Sequence, residues 1–172
     1  MIVRSLAGIL LRRSIDKTPS TTPADTLNNI RSSLLQIWSV EDNRLLLKRL
    51  SHAIAQSAAN GTWPDLLPSM INQAPSFQPT SLISLLNLIE IISEYCTEDI
   101  SKNLPVIGTF LSTFLNSPDP NVQVACAKAS GACIISLEDD NQRNLFKVRF
   151  YFYFILFLFY YFFFITSPFF FL

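Results

Sequence analysis

Glycine, histidine and charge of one sign are scarce in this sequence, and each scarcity excludes a class of function. Only 4 of the 172 residues are glycine, and no glycine-rich loop of the kind that cradles a phosphate is present. The single histidine, His52, lies in a helical context without a nucleophile elbow. A catalytic triad would have to use His52 as its base, and this context does not favour one. Lys plus Arg and Asp plus Glu both number 13, which gives no basic excess for nucleic acid. The sequence therefore predicts no enzyme, no cofactor and no direct contact with nucleic acid.

Cysteine is also scarce, and its pattern excludes a zinc site. Cys96, Cys126 and Cys133 lie in apolar helical stretches, with no CxxC and no Cys/His cluster. Cys126 and Cys133 are seven residues apart, which is about 10 Å along a helix axis and too far for a disulfide within that helix. We predict reduced, buried thiols of an intracellular protein. The acidic run 138–140 predicts a helix start or turn rather than a metal site.

Apolar residues recur at helical spacing along most of the chain. The clearest helix is predicted over 80–95, where Ser84, Asn87, Glu90 and Glu94 make one narrow polar stripe. Because roughly two-thirds of its surface is apolar, we expect neighbouring helices on both flanks. Further helices are predicted over about 1–17, 26–39, 43–59, 100–116 and 121–137, with another beginning at 142.

Capping residues predict where several helices begin and end. Asp25 is suited to the N-cap of the helix that follows it. Asn60–Gly61 is suited to a helix end, and Pro64 to a first helical position. Pro68, one turn later, is expected to kink the helix or delay its start.

The predicted helices form pairs that recur along the chain. The second helices begin near residues 43, 80 and 121, which are 37 and 41 residues apart. A two-helix period of about 40 residues is typical of HEAT arrays, in which each pair contacts mainly its neighbours. We predict an all-α HEAT-repeat α-solenoid, an armadillo-like superhelix; a compact bundle of six or seven helices is the alternative. The solenoid would occupy 1–147, with pairs at about 26–59, 62–96 and 100–137.

The composition changes abruptly at Val148, where an aromatic low-complexity tail over 148–172 begins. Residues 150–165 carry no charge and are mostly Phe and Tyr, a run shorter than the roughly 20 residues of a transmembrane helix. Phe, Leu, Ile and Tyr codons lie one base from TTT, and Lys147-Val-Arg can be encoded AAG GTA AGA, which matches a splice donor. We interpret 148–172 as a translated intron, with a membrane span as the alternative. Sequencing a spliced transcript across Lys147 tests this interpretation, and a mature message that still encodes Phe and Tyr there would contradict it.

Four stretches, taken together, resemble the importin-beta (karyopherin-beta) family, and their spacing is closest to its importin-5 branch. They are RSLAGILLRRSI at 4–15, ANGTWPDLLP at 59–68, PNVQVACAKASGACI at 120–134 and NQRNLFK at 141–147. The second stretch carries the family's Trp-Pro-acidic-Leu step at Trp63 to Leu66. The first stretch fits the family's early Arg-x-x-Ala-x-x-x-Leu-Arg-Arg helix through Arg4, Ala7, Leu11, Arg12 and Arg13.

The resemblance implies a fragment of a nuclear transport receptor that shuttles between cytoplasm and nucleus. Receptors of this family are HEAT solenoids whose inner helices bind protein cargo and Ran-GTP, and whose outer grooves bind the Phe-Gly repeats of nucleoporins. The chain would correspond to about the second through fifth repeats. The alternatives are a HEAT scaffold that assembles complexes without Ran, and a membrane-anchored helical-repeat protein if the run 150–165 is a true hydrophobic segment.

The polar stripes of the second helices are the candidate partner-binding surface. A concave inner face of mixed charge is suited to gripping a folded protein, whereas ordinary solvated stripes are the plainer interpretation, and His52 fits a surface histidine better than a ligand. Trp38 and Trp63 are expected to anchor the core and a turn. The candidates are Arg44, Lys48, Arg49 and His52 in the first full pair, Asn87, Glu90 and Glu94 in the next, and Lys128 in the last.

Overall fold

The protein is an all-α repeat solenoid, as predicted. A computed structural model describes residues 9–148 apart from 12, 16, 18–21 and 62, and this part contains helices and no strand. Residues 9–11, 13–15 and 140–148 are also helical, and a 3₁₀ turn spans Ala74–Ser76. The bounded helices are α1 (Ala24–Val40), α2 (Arg44–Ala59), α3 (Leu66–Gln73), α4 (Pro79–Tyr95), α5 (Thr97–Lys102), α6 (Leu104–Phe114) and α7 (Pro120–Ser136).

The second helices of successive pairs, α2, α4 and α7, stack side by side in one layer. The contacts of α4 with α7 and with α2 are the most extensive between any two helices described. In the other layer α3 contacts α6, while α1 and α6 pack against their partners α2 and α7. The stacked helices begin at Arg44, Pro79 and Pro120, which lie 35 and 41 residues apart. A pair that recurs in this way and contacts the next pair is the unit of a solenoid.

The middle helix of this stack, α4, is covered on both flanks. Leu85, Leu86, Leu88, Ile89 and Ile92 are all 0 % exposed. A helix that buries this much apolar surface needs partners on two sides, and α2 and α7 supply them. The expectation of neighbours on both flanks is confirmed.

Helix ends follow the capping chemistry only in part. Asn43 accepts hydrogen bonds from the backbone N–H of Leu45 and Leu46 and caps α2. The predicted N-cap at Asp25 is wrong, because α1 begins at Ala24, two residues before the predicted start at about 26, and Pro23 occupies the cap. The predicted end of α2 at Asn60 is confirmed, since the backbone N–H of Asn60 bonds back into the last turn.

Prolines mark further differences between prediction and structure. Pro64 lies in a turn, and α3 begins two residues later at Leu66. Pro68 falls in the first turn of α3, where its missing N–H costs no helical hydrogen bond. The single helix predicted over 100–116 is broken at Asn103 into α5 and α6, with Pro105 in the first turn of α6.

The three cysteine thiols are free and buried, as predicted, and each meets a neighbouring helix. The Sγ of Cys96 lies 3.7 Å from the carbonyl oxygen of Ala55 on α2, and that of Cys126 lies 3.1 Å from the carbonyl oxygen of Leu111 on α6. The Sγ of Cys133 lies 3.4 Å from the Oγ of Ser93 on α4. Burial raises the pKa of Cys96 and Cys133 to about 11 and that of Cys126 to about 12.

These raised pKa values predict thiols that stay unreactive until the protein unfolds. At pH 8 the folded protein holds less thiolate than the unfolded chain, so a disulfide reagent should react about 100-fold more slowly without denaturant than with it. The stability that the neutral thiols contribute is fully present below pH 9.0, the ordinary pKa, and is lost as the pH rises through 11 and 12. Thiol titration with and without urea checks this, and rapid labelling of any one cysteine in the native protein would contradict it.

Two expectations concern residues that the structure does not describe. Part of the helix predicted over 1–17 and the aromatic tail from residue 149 onward lie outside the described residues. Within the described ranges, the helices are too short or too polar to cross a bilayer.

Candidate functional site

An open groove runs along the layer of stacked second helices. It is lined by the end of α1, the loop at residues 41–42, one face each of α2 and α4, and Lys128 of α7. Its volume of about 1080 Å³ exceeds the roughly 300–1,000 Å³ of ordinary small-molecule pockets. The groove is therefore large enough for a peptide segment or a patch of a protein surface.

The structure gathers most of the predicted candidates into this one groove. Arg49 is the exception: it follows Lys48 directly, and one residue turns a helix by about 100°, so the two side chains leave α2 on different sides. Arg49 is half-buried and is not among the lining residues. The seven candidates that line the groove are Arg44, Lys48, His52, Asn87, Glu90, Glu94 and Lys128.

The charges of the groove are separated by helix. α2 contributes Arg44 and Lys48, α4 contributes Glu90 and Glu94, and α7 contributes Lys128. The loop before α2 adds two acidic residues, Glu41 and Asp42. In the described part of the chain, the ion pairs join Lys102 to Glu98 and Arg143 to Asp140, all outside the groove. The charged groups that line the groove thus form no ion pairs with one another in the described residues, and they can pair with charges of a partner.

His52 links two of the helices at one end of the groove. It is half-buried, and its Nδ1 lies 3.5 Å from the Oη of Tyr95 on α4. The two rings meet edge to face, with centroids 6.1 Å apart. No cluster of His, Cys, Asp and Glu that could hold a metal ion occurs among the residues described. His52 therefore acts as a polar contact between α2 and α4.

Three further residues line the groove that sequence reasoning did not name as candidates. Trp38 is 3 % exposed, and its Nε1–H donates to the Oγ of Ser51 at 3.0 Å. Ser84 also lines the groove and could have been named from the sequence, because it lies on the same polar stripe as Asn87. Phe77 lines the groove from a short loop with no periodic pattern, so no sequence signal pointed to it.

A buried arginine closes the first full pair beside the groove layer. The Arg31 guanidinium donates to the carbonyl oxygens of Ser57 at 3.3 Å and Gly61 at 2.6 Å, and lies 4.9 Å from the ring centre of Trp63. Desolvation lowers the pKa of Arg31. A cation at the C-terminal carbonyls of a helix is favourable for the helix dipole. Trp63 is the turn anchor that was predicted, whereas Arg31 was missed.

Comparison with known protein families matches residues 46–148 to the family described as IPO5-like, TPR repeats. Comparison with curated proteins and with solved structures gives no match. That description names TPR repeats where the sequence predicted HEAT repeats, and both are stacked two-helix units. The match covers more than half of the chain and includes every groove candidate except Arg44. This chain belongs to the IPO5-like family of helical-repeat proteins.

Proposed function

We propose that this protein acts as a nuclear transport receptor of the importin-beta type. In this role it binds protein cargo in the groove, binds Ran-GTP and the Phe-Gly repeats of nucleoporins, and shuttles between cytoplasm and nucleus. Membership of the IPO5-like family is the observation that carries the proposal. Such transport needs exposed protein-binding surface rather than a catalytic pocket.

The groove supports a protein partner over a small molecule for two reasons. It is open along one layer of the solenoid, and its volume of about 1080 Å³ lies at the upper end of the range for small-molecule pockets. Its rim carries both signs of charge, from Arg44 and Lys48 to Glu90 and Glu94. Mixed charge at an interface selects partners and speeds association, which suits a receptor that captures and releases cargo.

The proposal is tested by the nucleotide state of Ran. The full chain, immobilised on resin, should retain Ran loaded with a non-hydrolysable GTP analogue at least about tenfold better than Ran loaded with GDP, because 1.4 kcal/mol of preference is a factor of ten. Titration of both forms by surface plasmon resonance measures the ratio. Equal retention of both forms, or of neither, would overturn the transport role and leave a scaffold that assembles proteins without Ran.

A further inference from the structure

Each stacked helix brings charge of one sign to the groove, and the sign alternates across the stack. Lys48 comes from α2, Glu90 from α4 and Lys128 from α7, and all three line the groove. Lys48 and Lys128 are exposed and Glu90 is half-buried. None of the three forms an ion pair within the described residues. Neighbouring packed helices lie about 8–10 Å apart, which sets the spacing of the three charges across the stack.

Two side-chain contacts give the relative heights of the three helices. The Sγ of Cys96 lies 3.7 Å from the carbonyl oxygen of Ala55, so the C-terminal end of α4 lies at the height of Ala55 on α2. The Oγ of Ser93 lies 3.4 Å from the Sγ of Cys133, so Ser93 on α4 lies at the height of Cys133 on α7. Stacked helices of a solenoid run in the same direction, because a helix of the other layer returns the chain between them.

Counting back from these contacts places the three charges at one height. At a rise of 1.5 Å per residue, Lys48 lies about 10 Å and Glu90 about 9 Å before the level of Cys96. Lys128 lies about 12 Å before the same level, by way of the contact between Ser93 and Cys133. The three side chains therefore start within about 3 Å of one line that crosses the groove perpendicular to the helices. We call Lys48, Glu90 and Lys128 the charge row.

We propose that the charge row binds an extended segment of a protein partner in which acidic, basic and acidic side chains recur at every third residue. A polyproline II segment advances about 3.1 Å per residue with three residues per turn, so every third side chain returns to the same face after about 9 Å. This advance falls within the roughly 8–10 Å that generally separates packed helices. The inference rests on the proposed use of the groove for cargo and adds the charge order that the cargo presents.

Fluorescence anisotropy with two short proline-rich peptides tests the charge order. One carries Glu-x-x-Lys-x-x-Glu and the other carries Lys-x-x-Glu-x-x-Lys. The wild-type chain should bind the first about tenfold more tightly at low salt, and the preference should shrink as ionic strength rises. The triple variant Lys48→Glu/Glu90→Lys/Lys128→Glu should reverse the preference. The control is Lys17→Glu, at an exposed residue outside the groove, which changes the net charge by the same amount as the triple variant. This control should keep the wild-type preference.

Further variants and peptides keep the inference falsifiable. If the triple variant loses its helical circular dichroism, the single change Glu90→Lys should instead create a preference for Glu-x-x-Glu-x-x-Glu. A triple variant that keeps the wild-type order, or a wild type that ignores peptide order, would overturn the charge row. Tighter binding of a helical peptide with charges seven residues apart would overturn the extended conformation. Because none of these measurements involves Ran, failure here is distinct from failure of the transport role.

Discussion

Replacing Leu88 with alanine is expected to lower the free energy of unfolding by about 2–5 kcal/mol. Leu88 is 0 % exposed on α4, the helix that packs against both α2 and α7. The lost methyl groups leave a cavity whose walls belong to a helix held on two flanks, so relaxation can fill little of it. Domains of this size are stable by about 5–15 kcal/mol, so the change removes a large part of the total. Urea unfolding followed by far-UV circular dichroism measures it.

The matched control for this substitution is Ile135→Ala on α7. Isoleucine and leucine have the same number of carbon atoms, but Ile135 is 83 % exposed. Its removal should change the free energy of unfolding by less than about 0.5 kcal/mol. If the two variants unfold at the same urea concentration, then α4 is not the packed centre of the solenoid.

The helices that carry the solenoid were predictable because burial dictates their apolar spacing. The stacked helices were predicted to begin near residues 43, 80 and 121 and begin at Arg44, Pro79 and Pro120. The break at Asn103 was not predictable in the same way. Ile100 and Ile107 are both buried and keep a helical spacing across it, so the apolar pattern continues although the backbone does not.

The candidate groove was largely predictable for the same physical reason. When most of a helix is buried, its one polar stripe must face solvent, and the stripe of α4 with Asn87, Glu90 and Glu94 does line the groove. Residues that enter the site through loops or through distant contacts gave no such pattern. Phe77 comes from a short extended connection. Arg31 has the charge of a surface residue, and its burial depends on Gly61, 30 residues further along the chain.

Arg31→Ala is expected to lower the free energy of unfolding by about 2–4 kcal/mol, an effect close to that of Leu88→Ala. Hydrogen bonds from a charged donor contribute about 1.5–3 kcal/mol, and a cation stacked on an aromatic ring adds about 0.5–2 kcal/mol. Arg31 makes two such hydrogen bonds, to Ser57 and Gly61, and lies over Trp63 while only 7 % exposed. Arg44→Ala, at an exposed arginine, is the matched control and should change stability by less than about 0.5 kcal/mol.

Arg31→Lys separates the shape of the guanidinium from its charge. A lysine ammonium keeps the charge, but it lacks the planar fork that reaches two carbonyl oxygens while stacking on a ring. We therefore expect Arg31→Lys to recover less than half of the stability lost in Arg31→Ala, because the buried ammonium gains too few hydrogen bonds to offset its desolvation. Tryptophan emission should shift to longer wavelength in both variants as Trp63 loses its cover. A lysine variant as stable as the wild type would show that Arg31 contributes its charge alone. The planar guanidinium between the end of α2 and Trp63 would then not be what stabilises this turn.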